Sequence, residues 1–421
     1  VTDILDELQW RGLVAQTTDE AALRSALAEG PITYYVGFDP TAQSLHVGHM
    51  VQLLNMRRLQ LAGHRPLALV GGATGLIGDP RPTTERSMNS REVVAGWVDR
   101  IRAQIEPFLS FDGENAAVMV NNLDWTAPLS AIDFLRDVGK HFRMGTMLSK
   151  DIVARRLASD EGLSFTEFSY QILQGMDYRE LFQRHGCTLQ MGGNDQWGNL
   201  LSGVELIRKT EQAAVHALAT TLITKADGSK MGKSEGGAVW LDPELTSPYA
   251  FYQYWLNTAD ADVVHYLKVF TFRTREEIEA LAVEVADRPF AREAQRALAG
   301  DLTTLIHGQA ATDGVIAASQ ALFGRGELGE LDAVTLRGAV SELPLVAVTV
   351  GSPVVDALVG SGLVASRGAA RRAIAEGGAY VNNVKVTSEE QTIRLGDLLH
   401  GRYAVLRRGK KTLAVAVSPV V

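Results

Sequence analysis

Cysteine is nearly absent, with Cys187 standing alone among 421 residues. One thiol excludes an intramolecular disulfide and any multi-cysteine zinc site, and its ordinary role is that of a small buried hydrophobe. Long apolar runs are missing too, since none approaches the roughly 18 residues of a membrane span. The opening segment, Asp3-Ile4-Leu5-Asp6-Glu7-Leu8-Gln9-Trp10-Arg11, lacks the basic-then-apolar pattern of an export signal and reads as an amphipathic helix of mixed charge. No membrane partner is expected, and the cytoplasm is the expected compartment. Net positive charge is also wanting. The chain carries −8, which on average disfavours a polyanionic partner. That average hides an asymmetry: from Ser352 to Val421 ten Lys or Arg face five Asp or Glu, a local +5, so the first 351 residues carry −13. A basic tail on an acidic body fits contact between the tail and phosphates; on charge alone, a solvated surface is an equal reading.

What is present is a chain long enough for two or three domains, with 46% apolar residues to fill their cores. The first half alternates short apolar strands (Ile32–Phe38, Leu67–Val70, Ala117–Val120) with helical spacing such as Leu45–Leu61, which Gly63 is placed to stop. Strand–helix–strand units predict an α/β, doubly wound parallel sheet of Rossmann-like type. Such sheets bind ligands beyond the carboxyl ends of their strands, which directs attention to the segments after Phe38, Val70 and Met191 and the loop after Ile223. The expected division is a sheet domain over 1–246, a small helical domain over 247–323, a linker over 324–351 and an α+β tail over 352–421. Within the helical part, Glu276–Val285 and Phe290–Leu298 read as helices. In the tail, helices start at Ser352-Pro353 and Ser366, and hairpins turn near Asn382-Asn383 and at Arg407–Lys411.

Five segments carry chemistry. Gly37-Phe38-Asp39-Pro40-Thr41-Ala42-Gln43-Ser44-Leu45-His46-Val47-Gly48-His49 ends a strand and opens a helix on two histidines. A helix N-terminus attracts phosphate, and imidazole N–H groups can add donors to phosphoryl oxygens. Gly48 leaves room for a flat base or ribose. Alone, H-x-G-H is more often a pair of surface histidines; its place after a strand favours function. Lys225-Ala226-Asp227-Gly228-Ser229-Lys230-Met231-Gly232-Lys233-Ser234 sets two lysines three apart on a glycine-containing loop, a cationic clamp suited to pyrophosphate. It is not a P-loop, because Gly228 and Gly232 enclose three residues rather than four and no apolar helix follows. Gly71 to Asp79 follows a strand with glycines that permit close approach, and Asp79 suits an ammonium group. Gly192-Gly193-Asn194-Asp195 suits a nucleoside, with the carboxylate accepting from ribose hydroxyls. Tyr170, Gln174 and Asp177 share one face of a helix, where they either satisfy one another or line a polar pocket.

In combination and in this order, H-x-G-H early in the sheet and Lys-Met-Gly-Lys-Ser late resemble the paired signatures of class I aminoacyl-tRNA synthetases. Tyr35–Thr41, Gly71–Pro80, Phe165–Asp177 and Gly192–Asn199 resemble the bacterial-type tyrosyl-tRNA synthetases in particular. The resemblance runs from about Leu8 to Lys411. It implies that Tyr35 and Asp177 hydrogen-bond a substrate phenol, and that Asp79, Tyr170 and Gln174 hold its α-ammonium. Asp39 and Gln196 would orient the amino-acid end. Thr41, His46 and His49 would serve ATP, with Gly37, Gly48 and Gly192 close to it and Asp195 on its ribose, while Lys230, Lys233 and Arg86 close on pyrophosphate. ATP would enter as a substrate with its Mg2+; no protein-bound metal or organic cofactor is implied. The helical domain would meet the tRNA anticodon, and the chain would form a homodimer. The tail resembles an S4-like RNA-binding module, which nominates Arg367, Arg371, Arg372, Arg407, Arg408, Lys410 and Lys411 as RNA contacts. One departure concerns the loop after Asp79-Pro80, where the family often carries lysine and this chain reads Arg81-Pro82-Thr83-Thr84-Glu85-Arg86. A small nucleotidyltransferase would not explain the tail, a tryptophan-specific relative has no hydroxyl for Tyr35 and Asp177, and an inactive RNA-binding synthetase body is at odds with intact His46, His49, Lys230 and Lys233.

Overall fold

The computed structural model describes residues 3–80, 88–160, 162–229, 231–234, 237–409 and 412–419. By compactness the chain divides into two units, residues 1–242 with 261–282, and residues 243–260 with 283–421.

The first unit is built on a six-stranded sheet ordered β1-β6-β5-β2-β3-β4, where β1 is Val14–Thr17, β2 Thr33–Phe38, β3 Arg65–Val70, β4 Val118–Asn121, β5 Cys187–Gly193 and β6 His216–Thr220. All neighbours run parallel except β1, which lies antiparallel to β6. The interior strands read as apolar runs because helices cover both faces; Leu67, Ala68 and Val70 are buried together with Leu189 and Met191. After β2 the chain builds outward through β3 and β4, then returns to the other side of β2 as β5. That reversal makes the carboxyl ends of β2 and β5 a topological switch point, where open α/β sheets form their crevice. Register sets Tyr35 on β2 between Leu67 on β3 and Gln190 on β5.

Two helices form the floor under the crevice. Phe165–His185 is capped by the Ser164 hydroxyl at one end and ended by Gly186 in the left-handed conformation at the other. It packs on Trp197–Thr210 so closely that a Cβ added at Gly203 would lie 2.7 Å from Cδ1 and 2.8 Å from Cβ of Tyr178. Cys187 is buried, as its rarity leads one to expect.

The second unit contains helices Pro248–Leu256, Glu293–His307, Gln309–Leu322 and Ala333–Val340, with Phe251 and Trp255 in their core. Its tail carries helices Val354–Gly360 and Arg367–Ala375 against a five-stranded sheet ordered β11-β10-β12-β13-β9. Here β9 is Leu345–Ala347, β10 Ala379–Val381, β11 Val384–Lys385, β12 Tyr403–Arg408 and β13 Thr412–Val417.

Three expectations from the sequence need correction. The segment 324–351 is no unstructured linker, because Asp332 caps the Ala333–Val340 helix through the amides of Val334 and Thr335, and β9 joins the tail sheet parallel to β13. Residues 261–282 group with the sheet unit rather than with the other helices, since Arg11 and Arg58 bind the carbonyls at 268–273. The helix expected over Phe290–Leu298 begins only at Glu293, after a short 3-10 turn at Pro289–Ala291.

Because the Tyr178 ring has no room to retreat, Gly203→Ala is expected to destabilise the protein by about 1–3 kcal/mol through overpacking, measured as a lower urea midpoint with an unchanged m-value.

Candidate active site

At the end of β2 the Asp39 carboxylate accepts from the Tyr170 hydroxyl and from Thr74 Oγ1, each at 2.6 Å. A Cβ at Gly71 would lie 2.1 Å from Asp39 Oδ1, so only glycine lets the backbone pass here. Thr74 Oγ1 in turn accepts from Asn122 Nδ2 at 2.9 Å, and the same amide donates to Asp177 Oδ2 at 2.9 Å. Trp125 Nε1 donates to Asp177 Oδ1 at 2.8 Å. One hydrogen-bonded chain thus runs from Tyr170 through Asp39, Thr74 and Asn122 to Asp177. Of the two readings left open for the helix face, Tyr170 and Asp177 take partners from other elements, and Gln174 Oε1 is buried with no partner among the described residues.

Asp177 is 2% exposed. Burial pushes its pKa up to about 7, even though the Asn122 and Trp125 hydrogen bonds pull the other way. Tyr35 is 1% exposed and its phenol oxygen has no partner among the described residues. Burial first, and then the charge of Asp177, hold that phenol protonated well above its ordinary range. Opposite it on β5, Gln190 is buried with its Oε1 likewise unpartnered. A protonated donor and a strained acceptor therefore face the same low-dielectric environment, which favours a guest hydroxyl able to serve both.

Beside this network lies a cavity of about 390 Å³, walled in part by Asp79, Lys150, Glu167, Gln171, Asp195 and Trp197. Asp79 accepts from Gln196 Nε2 at 2.8 Å and from Asn199 Nδ2 at 3.2 Å. Lys150 reaches the Gly198 carbonyl at 2.7 Å and Ser202 Oγ at 3.3 Å. Burial lowers its pKa to about 8 against the opposing charge of Asp79. Glu167 is fixed by a fully buried ion pair with Arg156, 3.0 Å apart. Asp195 is the middle residue of the short 3-10 turn Asn194–Gln196 after β5, close enough that a Cβ at Gly193 would meet its Oδ1 at 2.5 Å.

The histidines open helix Val47–Leu61 as a reciprocal cap. His46 Nδ1 accepts from the Gly48 amide at 3.0 Å, and His49 Nδ1 accepts from the His46 amide at 3.1 Å. A backbone amide can only donate, so both rings carry their proton on Nε2 and offer an N–H. Burial lowers the pKa of His46; burial and then His46 lower that of His49 to about 3. Both are neutral donors at pH 7. Gly48 has a nearer reason than room for a ligand, since a Cβ there would lie 2.8 Å from His46 Cε1. Thr41 and Gly37 are both exposed. The lysine loop is stitched to this helix start: Val47 N donates to Val239 O at 3.0 Å, Val239 N to Gly232 O at 3.1 Å, and His46 bridges Trp240. Gly192 backs onto Leu200.

Arg81, Pro82, Arg86, Lys230, Lys410 and Lys411 lie outside the described residues, and only the backbone of Lys233 is described, in β7 (Lys233–Ser234), paired with β8 (Gly237–Ala238). In the tail, Arg367 is bound bidentately to Asp356 and Arg371 lies 3.4 Å from Glu389; both remain exposed, as does Arg372. Arg407 stacks 3.9 Å over the Tyr380 ring and bonds Gly409 O, and Arg408 bonds Leu363 O, so the fold itself uses them. Among the described residues no group of three or more His, Cys, Asp or Glu is arranged to hold a metal, and no helix is long and apolar enough to cross a membrane.

Sequence reasoning missed Asn122 and Trp125, although the signal was available. Both follow β4, whereas the segments singled out in the sequence are those after Phe38, Val70 and Met191 and the loop after Ile223. Lys150, Thr74 and Gln190 carried no pattern of their own.

Residues 27–324 match the family model of class I tRNA synthetases (W and Y), and residues 336–416 match the tyrosine–tRNA ligase SYY-like C-terminal domain. A tyrosine–tRNA ligase of Streptomyces coelicolor is 67% identical over 415 residues, 98% of either chain, and that of Mycobacterium leprae is 57% identical over 420, again 98% of either. The chain belongs to the tyrosine–tRNA ligase family. A C-terminally truncated mitochondrial tyrosyl-tRNA synthetase of Coccidioides posadasii superposes with a TM-score of 0.66 at 33% identity, covering 75% of this chain and 91% of that one. The match therefore extends, in this member of the ligase family, from the sheet unit into the tail.

Asp177 provides a pH test. Its folded pKa of about 7 stands above the ordinary carboxylate value, so the folded state binds more protons in between and loses stability as pH rises through that window. Asp177→Asn removes the titration. Between about pH 5.5 and about pH 8, the stability of the wild type measured against Asp177→Asn is expected to fall by about 2 kcal/mol; urea unfolding at both pH values would detect this.

Proposed function

We propose that the protein activates L-tyrosine with ATP, forming tyrosyl-adenylate and pyrophosphate, and then transfers the tyrosyl group to the terminal adenosine of its tRNA. The observation that carries this is the pairing of Tyr35, a buried donor, with Asp177, a buried acceptor, in one low-dielectric environment at the head of the sheet. A substrate phenol oxygen accepts from Tyr35 and donates to the Asp177 carboxylate. Phenylalanine leaves the Tyr35 hydroxyl without an acceptor and adds no donor to those that Asn122 and Trp125 already give Asp177. A site built around a substrate hydroxyl rejects the analogue without it by about 10⁴–10⁵-fold, a figure for which tyrosyl enzymes are themselves the reference case.

The α-ammonium is assigned to Asp79, Tyr170 and Gln174, with Asp39 and Gln196 bracing the first two. The tyrosine carboxylate attacks the α-phosphorus of Mg·ATP in line with departing pyrophosphate. No general base is needed, because the carboxylate is already ionised. The role of the protein is positioning and charge stabilisation. His46 and His49 supply neutral Nε2–H donors to phosphoryl oxygens at pH 7, and His49 keeps that role in mild acid because burial lowers its pKa to about 3. Thr41 assists them, Gly37, Gly48 and Gly192 admit the nucleotide, and Asp195 takes the ribose hydroxyls. Lys230, Lys233 and Arg86 are assigned to pyrophosphate from the sequence alone. Arg367, Arg371 and Arg372 are assigned to the RNA backbone, with Arg407, Arg408, Lys410 and Lys411 on the neighbouring hairpin, and the helices of the second unit to the anticodon end. The compartment is the cytoplasm.

A homodimer belongs to the same reading. Six large apolar side chains between positions 132 and 165 (Ile132, Leu135, Met144, Leu148, Leu157 and Phe165) are exposed in the single chain, more than a monomer ordinarily leaves to water in one stretch.

ATP–pyrophosphate exchange measured with tyrosine, phenylalanine and tryptophan tests the activity. Exchange is expected with tyrosine, with Tyr35→Phe lowering kcat/KM for tyrosine by about 10–100-fold and Asp177→Ala by about 10⁴-fold. Exchange driven equally by phenylalanine would refute the phenol reading. In sedimentation equilibrium, the unsubstituted chain is expected as a dimer, and Ile132→Asp combined with Leu135→Asp as a monomer.

A further inference from the structure

Helix Asp260–Phe270 belongs to none of the sequence motifs, yet it is bonded to both sides of the nucleotide end of the site. Near its start, Asp262 Oδ1 accepts from the Ala226 amide at 2.7 Å. One turn later the Tyr266 hydroxyl donates to the Thr224 carbonyl at 3.4 Å. Thr224 and Ala226 form the base of the loop that carries Lys230 and Lys233. The turn above them is closed on itself: Lys225 N donates to Ser229 O at 2.9 Å, and Asp227 Oδ1 accepts from the Ser229 amide at 2.8 Å. A shift at Ala226 therefore moves residues 225–229 as a piece.

The other end of the helix is held by the histidine helix. Arg58, buried on Val47–Leu61, donates at 2.8 Å to each of the carbonyls of Val269 and Thr271. Arg11 adds bonds to the carbonyls of Lys268, Thr271 and Arg273, at 2.7, 3.0 and 2.7 Å. Two guanidiniums thus satisfy carbonyls at and just beyond a helix C-terminus, where the dipole favours cations. Burial and then the neighbouring Arg11 lower the pKa of Arg58 to about 9, which leaves it charged at neutral pH. The connection is continuous, from the helix that opens on His46 and His49, through Arg58 and the 260–270 helix, to Asp262 and the lysine loop.

We propose that helix Asp260–Phe270 is a strut that sets the lysine loop against the histidine helix, with Asp262 as the positioning residue at the loop end. The proposal rests on the assignment of Lys230 and Lys233 to pyrophosphate. A charged acceptor on a single amide fixes where the loop leaves the fold, and small errors there are amplified at the lysines four and seven residues further on.

Tyrosine-dependent ATP–pyrophosphate exchange by the unsubstituted protein tests the underlying assignment of function; its absence would remove that reading without reference to the strut. Asp262→Ala and Asp262→Asn then test the strut. Asp262→Ala is expected to lower kcat/KM for pyrophosphate on the order of 10-fold while equilibrium tyrosine affinity stays unchanged. Asp262→Asn keeps an oxygen acceptor and is expected to restore most of the loss. Tyr266→Phe is expected to move the same parameter in the same direction by less. Unchanged exchange in Asp262→Ala, equal losses in both Asp262 variants, or a parallel fall in tyrosine affinity would each overturn the proposal.

Discussion

The site depends on a carboxylate kept where water is not. Asp177 sits buried on the Phe165–His185 helix, and among the described residues two donors, Asn122 and Trp125, offset the loss of hydration. They do not offset it completely, which is why its pKa stands near 7. A buried acceptor in that condition gains more from a further donor than an exposed one would, because the alternative is an unsatisfied charge in a low dielectric. The same scarcity of partners leaves the Tyr35 hydroxyl without a partner among the described residues. Polar groups that the fold leaves wanting are the source of selectivity for a ligand that completes them.

The remaining polar residues hold this pair in place. Thr74 and Asn122 carry the constraint from Asp177 to Asp39, and Asp39 holds Tyr170, so a single network fixes residues from three strand ends and one helix. Gly71 and Gly72 let the backbone run against Asp39 and Asn121 without displacing them. At the nucleotide end the logic is reversed. Burial lowers the pKa of both histidines, that of His49 to about 3, and with each Nδ1 accepting a backbone amide both present Nε2–H groups at pH 7.

Much of the fold was legible because its signals are local. The β2 and β3 strands, the Val47–Leu61 helix, the Ser366 cap and both tail hairpins follow from apolar period and turn chemistry. What escaped the sequence depends on tertiary partners. The Ala333–Val340 helix is short and its period weak, and β9 is a three-residue strand that exists because β13 offers it an edge. At the site, residues set in runs with glycine or histidine stood out, whereas Asn122, Trp125 and Lys150 act through contacts with segments fifty or so positions away.

Cys187 has a practical consequence. Its sulfur is enclosed at the start of β5, donating to the Leu189 carbonyl, and burial pushes its thiol pKa well up. A thiolate is what electrophiles attack, so towards maleimides and iodoacetamides the native fold behaves as though it had no sulfhydryl. A cysteine introduced at any exposed position becomes the sole reactive handle. Dyes or spin labels can therefore be installed one at a time, with no need to remove the natural residue and disturb the sheet core around it.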